Sequence, residues 1–203
     1  MNFEFIILGF LSYILGSIPF GLIVSKLKGI DIRLHGSKNI GATNVFRVLG
    51  KKWGLITFLF DAVKGFIPSF FFPLFLKNNQ FHDIGVIYGV LSILGHTFSI
   101  FLKFKGGKGV ATSAGVLIGI IPYGVLIGIF SWIVCLSLSK YVSVSSIVSS
   151  LVVLLVVILD ESASLILEIL MFSITILIIF LHKENIKRLF KGTENKVMKE
   201  KNE

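Results

Sequence analysis

Long apolar stretches separated by short polar segments run through the whole chain. Five of them are clearly bounded, at residues 3–24, 55–76, 84–102, 142–159 and 163–181. Each comes close to the roughly 20 residues that a helix needs to cross the hydrocarbon core of a bilayer. The pattern therefore predicts an all-α polytopic membrane protein.

A sixth apolar stretch, residues 110–138, cannot be assigned by length alone. As one helix its 29 residues would extend about 43 Å, whereas the hydrocarbon core is about 30 Å thick. Pro122 lies near its middle, where proline kinks or ends a helix. The stretch is therefore either one long kinked helix or two helices, of which the first is short.

Composition agrees with a membrane protein and excludes several other classes. Of the 203 residues, 54% are hydrophobic and 15% are charged, against about 25% charged residues in soluble domains. These values exclude a disordered chain, a disulfide-rich scaffold and a soluble nucleic-acid binder. Cys135 is the single cysteine, so the sequence predicts no internal disulfide and no cysteine-based metal site.

The basic residues are unevenly placed and orient the chain. They concentrate between the first two apolar stretches, after the third and in the C-terminal tail, whereas segments 77–83 and 160–162 carry almost none. Basic loops stay in the cytoplasm. Two helices across the sixth stretch bring all these clusters, together with Lys140, to one side, and leave Lys77 on the other.

This placement predicts seven transmembrane helices, with the N-terminus outside, the C-terminus in the cytoplasm and a short fourth helix near residues 110–121. Residues 1–203 are expected to form a single membrane-embedded domain. Its C-terminal segment, residues 182–203, is expected to be a cytoplasmic amphipathic tail that includes Lys199 and Lys201.

The first candidate site segment is a polar loop of sequence GSKNIGATN, residues 36–44, followed by Arg47. Glycines allow backbone N–H groups to turn toward an anion. Hydroxyl and amide side chains add neutral donors, and a guanidinium suits phosphate oxygens. The alternative is an ordinary turn with helix-capping side chains. The candidate ligands are Gly36, Ser37, Asn39, Gly41, Thr43, Asn44 and Arg47.

The second candidate segment is the glycine turn KGGKG, residues 105–109, which leads directly into an apolar stretch. The N-terminus of a helix presents free N–H groups to an anion, and Lys108 stands at that point. The turn is not a Walker A loop, because Leu102 replaces the required glycine and Gly109 follows the lysine. A flexible boundary loop is the alternative. The candidate ligands are Gly106, Gly107, Lys108 and Gly109.

The third candidate segment is the tail at residues 182–194, which the spacing predicts to be a short amphipathic helix closed by Gly192. Lysines recur every four residues on one face, and His182 and Asn185 lie on another. Glu184 and Arg188 have the spacing of an i,i+4 pair. An interfacial helix with no part in a site is the alternative.

Ser143 stands at the predicted cytoplasmic end of its stretch, where it could reach the same site.

Asp61 and Lys64 lie three residues apart inside an apolar stretch, and such charges are usually paired or functional. Both a structural pair and a direct role remain open. His96, near the middle of its stretch, is interpreted as a hydrogen-bonded packing histidine. Gly115 and Gly119 have the spacing of close helix packing.

Three anion-binding segments on one side of the membrane indicate a phosphate-bearing, lipid-soluble substrate at the inner leaflet. Two other classes stay open. A small transporter of a phosphorylated metabolite would use Asp61, Lys64 and Glu168 as a coupling path. The absence of an internal repeat in the sequence argues against it. A structural membrane subunit would not need three anion-binding segments.

Six motifs occur along the chain in a specific order. They are GSIPFG at 16–21, the polar loop with Arg47, DAVKG at 61–65, Gly95-His96, the segment 104–112 and the tail 182–194. Together they resemble the bacterial acyl-phosphate:glycerol-3-phosphate acyltransferase family. The resemblance covers nearly the whole chain and implies the seven-helix membrane fold of that family.

The resemblance implies that an acyl group passes from acyl phosphate to the 1-hydroxyl of glycerol 3-phosphate, giving 1-acylglycerol 3-phosphate and phosphate for phospholipid synthesis. Acyl-CoA and acyl carrier protein are not expected as direct donors, and no metal or cofactor is expected. The expected location is the bacterial inner membrane, with the active site facing the cytoplasm. A functional link to an enzyme that produces acyl phosphate is also implied.

Matched position by position, the resemblance assigns catalytic roles to Ser37, Arg47, Lys108, His182 and Asn185. It implies that the polar loop receives a phosphate, that the glycine turn binds glycerol 3-phosphate and that Glu194 maintains structural integrity. The chain has no Gly-x-Ser-x-Gly elbow and no His-x4-Asp pair. An activated donor needs no covalent nucleophile, so the expected work is charge neutralisation by Arg47 and Lys108. The proton acceptor is either His182 or the donor phosphate.

Overall fold

The computed structural model describes residues 3–76 and 81–197, and all regular secondary structure within these ranges is helical. The α-helices are α1 (Phe3–Ser17), α2 (Phe20–Lys26), α3 (Ala42–Leu49), α4 (Lys51–Phe66), α5 (Phe81–Thr97), α6 (Val110–Ile120), α7 (Pro122–Ser139), α8 (Val142–Ile158), α9 (Leu165–Leu181) and α10 (Lys183–Phe190). They divide into two compact units, of which the first ends at Ile121 and the second begins at Pro122. The expectations for Lys77, Lys199 and Lys201 lie outside the described residues.

The first unit is held together by helix pairs whose backbones approach each other at glycines. Helix α1 packs on α5, and α4 packs on α6. A Cβ atom added at Gly16 would lie 2.1 Å from the carbonyl oxygen of Ser92 on α5. One added at Gly115 of α6 would lie 1.8 Å from that of Ala62 on α4. The close packing predicted from the spacing of small residues is confirmed.

Prolines set two of the helix boundaries: the one at Pro122 was predicted from the sequence, whereas the break at Pro19 divides a stretch that was predicted to be continuous. Helices α1 and α2 are separated at Ile18–Pro19, where proline lacks an N–H and restricts the residue before it. Helix α6 ends at Ile120, and α7 starts with Pro122, a favourable residue for the first helical position. The stretch 110–138 is therefore two helices with a short first one, as the charge placement predicts.

Three other boundaries differ from the sequence-based expectation. Residues 42–44 of the predicted polar loop already belong to helix α3, which continues to Leu49 and has Arg47 in its last turn. Helix α4 begins at Lys51, before the predicted start at 55, because the left-handed Gly50 (φ +91°) leads into it directly. Helix α5 ends at Thr97, so His96 lies in its last turn rather than near the middle of a long helix.

The second unit is an antiparallel run of apolar helices with polar cross-links. Helix α7 packs on α8, and α8 packs on α9. The Ser149 hydroxyl donates to the carbonyl of Gly128 at 2.7 Å, and the Thr175 hydroxyl donates to that of Ser150 at 3.3 Å. Helix α10 follows α9 with a bend of 51°. Such hydroxyl bonds join helices where no water is available to satisfy the carbonyl groups.

The helices expose an unusual number of large apolar side chains, including Phe10, Leu126, Phe130 and Phe172. Surfaces of this kind face lipid rather than water. Among the described residues, four helical segments are long and apolar enough to span a bilayer, at Phe3–Lys26, Lys51–Phe75, Asp83–Leu102 and Pro122–Ser139. Helix α9 with α10 makes a fifth if this bent pair is counted as one span. Helices α6 and α8 are shorter. The all-α membrane fold is confirmed, while the count of seven spans stays a prediction.

We expect Gly115→Val to destabilise the first unit, because the added side chain would collide with the backbone of α4. Overpacking of this kind costs about 1–3 kcal/mol. Thermal unfolding of the purified protein in detergent measures the change. Ile118→Val is the control, because Ile118 lies on the same helix and is 46% exposed. An unchanged midpoint for the Gly115 variant would contradict the close approach of α4 and α6.

Candidate active site

The polar loop of the first unit is organised by the buried side chain of Asn44. Its amide group donates to the backbone carbonyls of Ile32 at 3.3 Å, His35 at 3.0 Å and Asn39 at 2.8 Å. Its Oδ1 accepts a hydrogen bond from the N–H of Ser37 at 2.8 Å. Asn44 therefore holds the loop in shape from inside, and its assignment as a substrate ligand stays a prediction.

Glycine is required at position 36 for two reasons. Its φ of +59° lies in the left-handed region, which residues with a Cβ rarely adopt. A Cβ there would also lie 2.3 Å from Oδ1 of Asn44. In this part of the loop Ser37 is half-buried, whereas Thr43 and Arg47 are exposed on α3. The half-buried Ser37 of the loop and the exposed Arg47 of α3 thus flank a backbone segment whose shape is held by the hydrogen bonds of Asn44.

An apolar cluster beneath the polar loop connects it to two other elements of the first unit. Buried Ile32, Ile40 and Val45 pack with Leu22 of α2, and the partly buried Leu102 packs against the same cluster. Leu102 precedes the glycine turn by three residues. The cluster therefore places the chain leading to that turn beside the polar loop.

The glycine turn lies against the C-terminal end of α5. The N–H of Gly106 donates to the carbonyl of Thr97 at 2.8 Å, and that of Gly107 donates to the carbonyl of His96 at 3.0 Å. Helix α6 begins immediately after Gly109, which has a φ of +79° and no capping side chain. The first N–H groups of α6 stand where the sequence predicts anion-binding donors, and that role stays a prediction. Lys108 stands half-buried just before them.

A buried ion pair lies behind the glycine turn in the same unit. The Lys64 ammonium is 2.8 Å from Oδ1 of Asp61, and Nδ1 of His96 is 3.6 Å from the same oxygen. All three side chains are at most 4% exposed. The pairing of Asp61 with Lys64 is confirmed, and His96 is a packing histidine that also contacts this pair.

In the second unit, His182 stands at the junction of α9 and α10. Its Nδ1 is 2.8 Å from the carbonyl oxygen of Ile178. Because a carbonyl only accepts, Nδ1 carries a proton, and in the neutral imidazole Nε2 is the basic nitrogen. The carbonyl of Ile178 thus fixes the tautomer of the histidine that the sequence singled out.

Glu194 is the acceptor that gathers the polar residues of the second unit. Its Oε1 accepts from the Ser143 hydroxyl at 2.9 Å and from the Asn185 amide at 2.6 Å. Its Oε2 accepts from Nε of Arg188 at 2.7 Å. The structure therefore brings Ser143, Asn185 and Arg188 together around one carboxylate that lies beyond the predicted helix.

The charge of Glu194 depends on these donors. Burial alone would raise the pKa of the carboxyl, but the hydrogen bonds from Asn185, Arg188 and Ser143 outweigh it and hold the pKa below its ordinary value.

The predicted pair of Glu184 with Arg188 is wrong. Glu184 instead pairs with Lys187 at 3.1 Å, because the turn after Gly192 brings Glu194 to Arg188. No group of three potential metal ligands occurs among the described residues.

Comparison with known proteins gives consistent matches over almost the whole chain. The family model described as glycerol-3-phosphate acyltransferase matches residues 6–192. A glycerol-3-phosphate acyltransferase of Geotalea daltonii is 44% identical over 185 residues, which cover 91% of this chain and 93% of that protein. One from Acholeplasma laidlawii is 42% identical, with coverage of 94% and 91%.

Solved structures agree with the sequence matches. The crystal structure of PlsY, an integral membrane glycerol 3-phosphate acyltransferase, in its glycerol 3-phosphate form has a TM-score of 0.88 and 38% identity, covering 95% of this chain and 94% of that one. Its lysophosphatidic acid form has a TM-score of 0.86 with the same identity and coverage. This chain is therefore similar to that enzyme in both sequence and fold.

We expect Glu194→Gln to lower the stability of the protein at neutral pH, because a neutral amide is a weaker acceptor for Arg188 and Asn185. Hydrogen bonds to charged groups contribute about 1.5–3 kcal/mol each. Since the folded pKa of Glu194 is lowered, its contribution is complete above the ordinary carboxyl value of 4.5. It is lost as the pH falls through the lower folded value.

Thermal unfolding in detergent, measured from pH 7 to well below pH 4.5, tests this difference. The gap between the wild-type protein and Glu194→Gln should stay constant down to about pH 4.5 and close only below it, as the pH falls through the lowered folded pKa of Glu194. Glu161→Gln, at an exposed glutamate of the same unit, is the control. A gap that is the same at every pH would show that the charge of Glu194 contributes nothing.

Proposed function

Since the chain belongs to the glycerol-3-phosphate acyltransferase family, we propose that it transfers an acyl group from an acyl phosphate to the 1-hydroxyl of glycerol 3-phosphate. The products are 1-acylglycerol 3-phosphate and inorganic phosphate. The observation that carries this proposal is the family match over residues 6–192, which includes the polar loop, the glycine turn and residues 182–192 of the tail. The glycine turn before the uncapped start of α6 suits the phosphate group of glycerol 3-phosphate.

The proposed chemistry needs no covalent intermediate on the protein. The 1-hydroxyl oxygen attacks the carbonyl carbon of the acyl phosphate, a carbon–oxygen bond forms, and the bond to the phosphate oxygen breaks with departure of phosphate. The hydroxyl proton passes either to Nε2 of His182 or to the departing phosphate. In both routes the acyl donor is already activated, so the protein supplies positions and charge.

Arg47 and Lys108 carry the electrostatic part of this mechanism. Both substrates bear phosphate, so bringing them together costs repulsion that fixed cations offset. Arg47 is an exposed guanidinium on α3, and Lys108 stands at the N-terminal end of α6. Ser37 adds a neutral hydroxyl in the polar loop. We assign Thr43, Asn39 and Gly41 to the same phosphate-binding loop, with Asn44 as the residue that shapes it.

In the second unit, His182 and Asn185 act on the reacting groups, while Glu194 holds Asn185 and Ser143 in place. The carbonyl of Ile178 sets the tautomer of the His182 imidazole, so that Nε2 is the nitrogen that can accept a proton. The Ser143 hydroxyl donates to Glu194, so the contribution of Ser143 to substrate binding is indirect and passes through this carboxylate. The enzyme needs no metal or cofactor in this scheme. We propose an inner-membrane location and a functional link to an enzyme that makes acyl phosphate.

We expect purified protein in detergent to convert palmitoyl phosphate and labelled glycerol 3-phosphate to acylated product without metal or nucleotide. Palmitoyl-CoA in place of palmitoyl phosphate should give no product. Arg47→Gln should reduce turnover about 100-fold, the loss typical of removing one charge-stabilising donor. Lys38→Gln is the matched control, because Lys38 is exposed in the same loop and has no assigned role. Uptake into liposomes without acylation would instead indicate a transporter.

We further propose seven transmembrane helices with the N-terminus outside and the C-terminus and active site in the cytoplasm. In a variant with Cys135→Ala, single cysteines at Ser162 and Thr193, both exposed, report the two sides. An impermeant thiol reagent should label Ser162→Cys in intact cells and Thr193→Cys only after permeabilisation. Labelling of the Thr193 variant in intact cells would contradict this orientation.

A further inference from the structure

Three ionisable side chains are buried in the first unit, and the proposed chemistry does not use them. Asp61 and Lys64 lie on α4, and His96 lies in the last turn of α5. They are 2%, 1% and 4% exposed. Burying charge is costly unless each group has well-placed partners. Their contacts therefore indicate what this cluster contributes to the protein.

Lys64 connects the cluster to the break between α1 and α2. Its ammonium lies 2.8 Å from Oδ1 of Asp61 and donates to the carbonyl of Ile18 at 2.7 Å. That carbonyl also accepts the N–H of Phe20 at 3.1 Å, whereas the N–H of Leu22 bonds to the carbonyl of Pro19. The ammonium also lies 5.6 Å from the centre of the Phe20 ring. Lys64 is thereby fixed from two sides and in turn fixes the carboxylate of Asp61.

His96 connects the same carboxylate to the glycine turn. Its Nδ1 lies 3.6 Å from Oδ1 of Asp61, an electrostatic contact rather than a hydrogen bond. The opposite edge of the ring faces Gly107, where an added Cβ would lie only 2.1 Å from Nε2. The carbonyl of His96 also accepts the N–H of Gly107 at 3.0 Å. The residue before Lys108 is thus held by both the ring and the backbone of His96.

These contacts form one continuous path from the helix break to the lysine at the start of α6. We propose that His96 is a positioning residue for Lys108, with Asp61 and Lys64 fixing its ring so that the glycine turn presents the lysine to the phosphate of glycerol 3-phosphate. The ring is buried and covered by Gly107, so it acts through the turn and not on the reacting atoms. The inference rests on the proposed function.

The shape of the side chain at position 96 gives a specific test. In His96→Gln the amide nitrogen can occupy the place of Nε2 against Gly107, whereas in His96→Asn the shorter side chain leaves that place empty. We expect His96→Asn to raise the KM for glycerol 3-phosphate about 10-fold, because a small misplacement of a binding group has effects of this size or larger. The KM for palmitoyl phosphate should change less than about twofold, and His96→Gln should restore much of the loss.

Two further variants complete the experiment. Tyr88→Phe is the control, because Tyr88 is a fully buried residue of the same helix whose hydroxyl donates to the carbonyl of Phe5 at 3.2 Å. Its KM values should match the wild type. The double variant Asp61→Asn/Lys64→Met removes both charges without leaving one of them unpaired. It should raise the KM for glycerol 3-phosphate like His96→Asn, and it serves as the test if His96→Asn does not fold.

Thermal unfolding in detergent accompanies every kinetic measurement. A folded His96→Asn protein with an unchanged KM for glycerol 3-phosphate would overturn the inference. Equal increases in both KM values, or no difference between the Asn and Gln variants, would also overturn it. If His96→Asn does not fold, an unchanged KM in the double variant would overturn it as well. Failure of the wild-type protein to acylate glycerol 3-phosphate would overturn the proposed function instead, so the two failures are distinguishable.

Discussion

The ammonium group of Lys64 is buried, with 1% of the residue exposed, so its oxygen partners determine how several segments of the first unit meet. The ammonium binds Asp61 within α4 and the carbonyl of Ile18 at the break between α1 and α2. The backbone carbonyl of Lys64 accepts the hydroxyl of Ser92 on α5 at 2.8 Å. A single residue of α4 thus joins this helix to two others, and the glycine turn rests on the end of α5.

The second unit uses the same principle with a carboxylate at its centre. Glu194 accepts hydrogen bonds from three side chains that belong to α8 and α10. An ionised acceptor holds such donors more firmly than a neutral one. In the second unit, therefore, an acidic residue that does no proposed chemistry holds Asn185, to which the proposed chemistry assigns a role. In the first unit, Asp61 pairs with Lys64 and contacts His96, and neither of these takes part in the proposed chemistry.

Local signals predicted much of the fold. The apolar stretches marked the long helices, and Pro122 separated α6 from α7 as expected. Helix α3 was missed because its residues were interpreted by their polar side chains, whereas the apolar positions Val45 and Val48 pack against the cluster under the loop. The end of α5 at Thr97 was missed for a similar reason. The residues after it remain apolar, so hydropathy does not mark the point where the chain turns back to bond with Gly106 and Gly107.

The sequence by itself determined the membrane class, the family and the residue types of the candidate site, because these depend on composition, order and spacing along the chain. Only the tertiary structure decided which donor meets which acceptor. Ser143 and Glu194 are 51 positions apart, and Lys64 and Ile18 are 46 apart. No local pattern carries such a pairing, since it follows from how helices that are distant in the sequence pack together. Asn44 shows the same limit: its residue type suggested a ligand, and its three carbonyl partners revealed the residue that builds the loop.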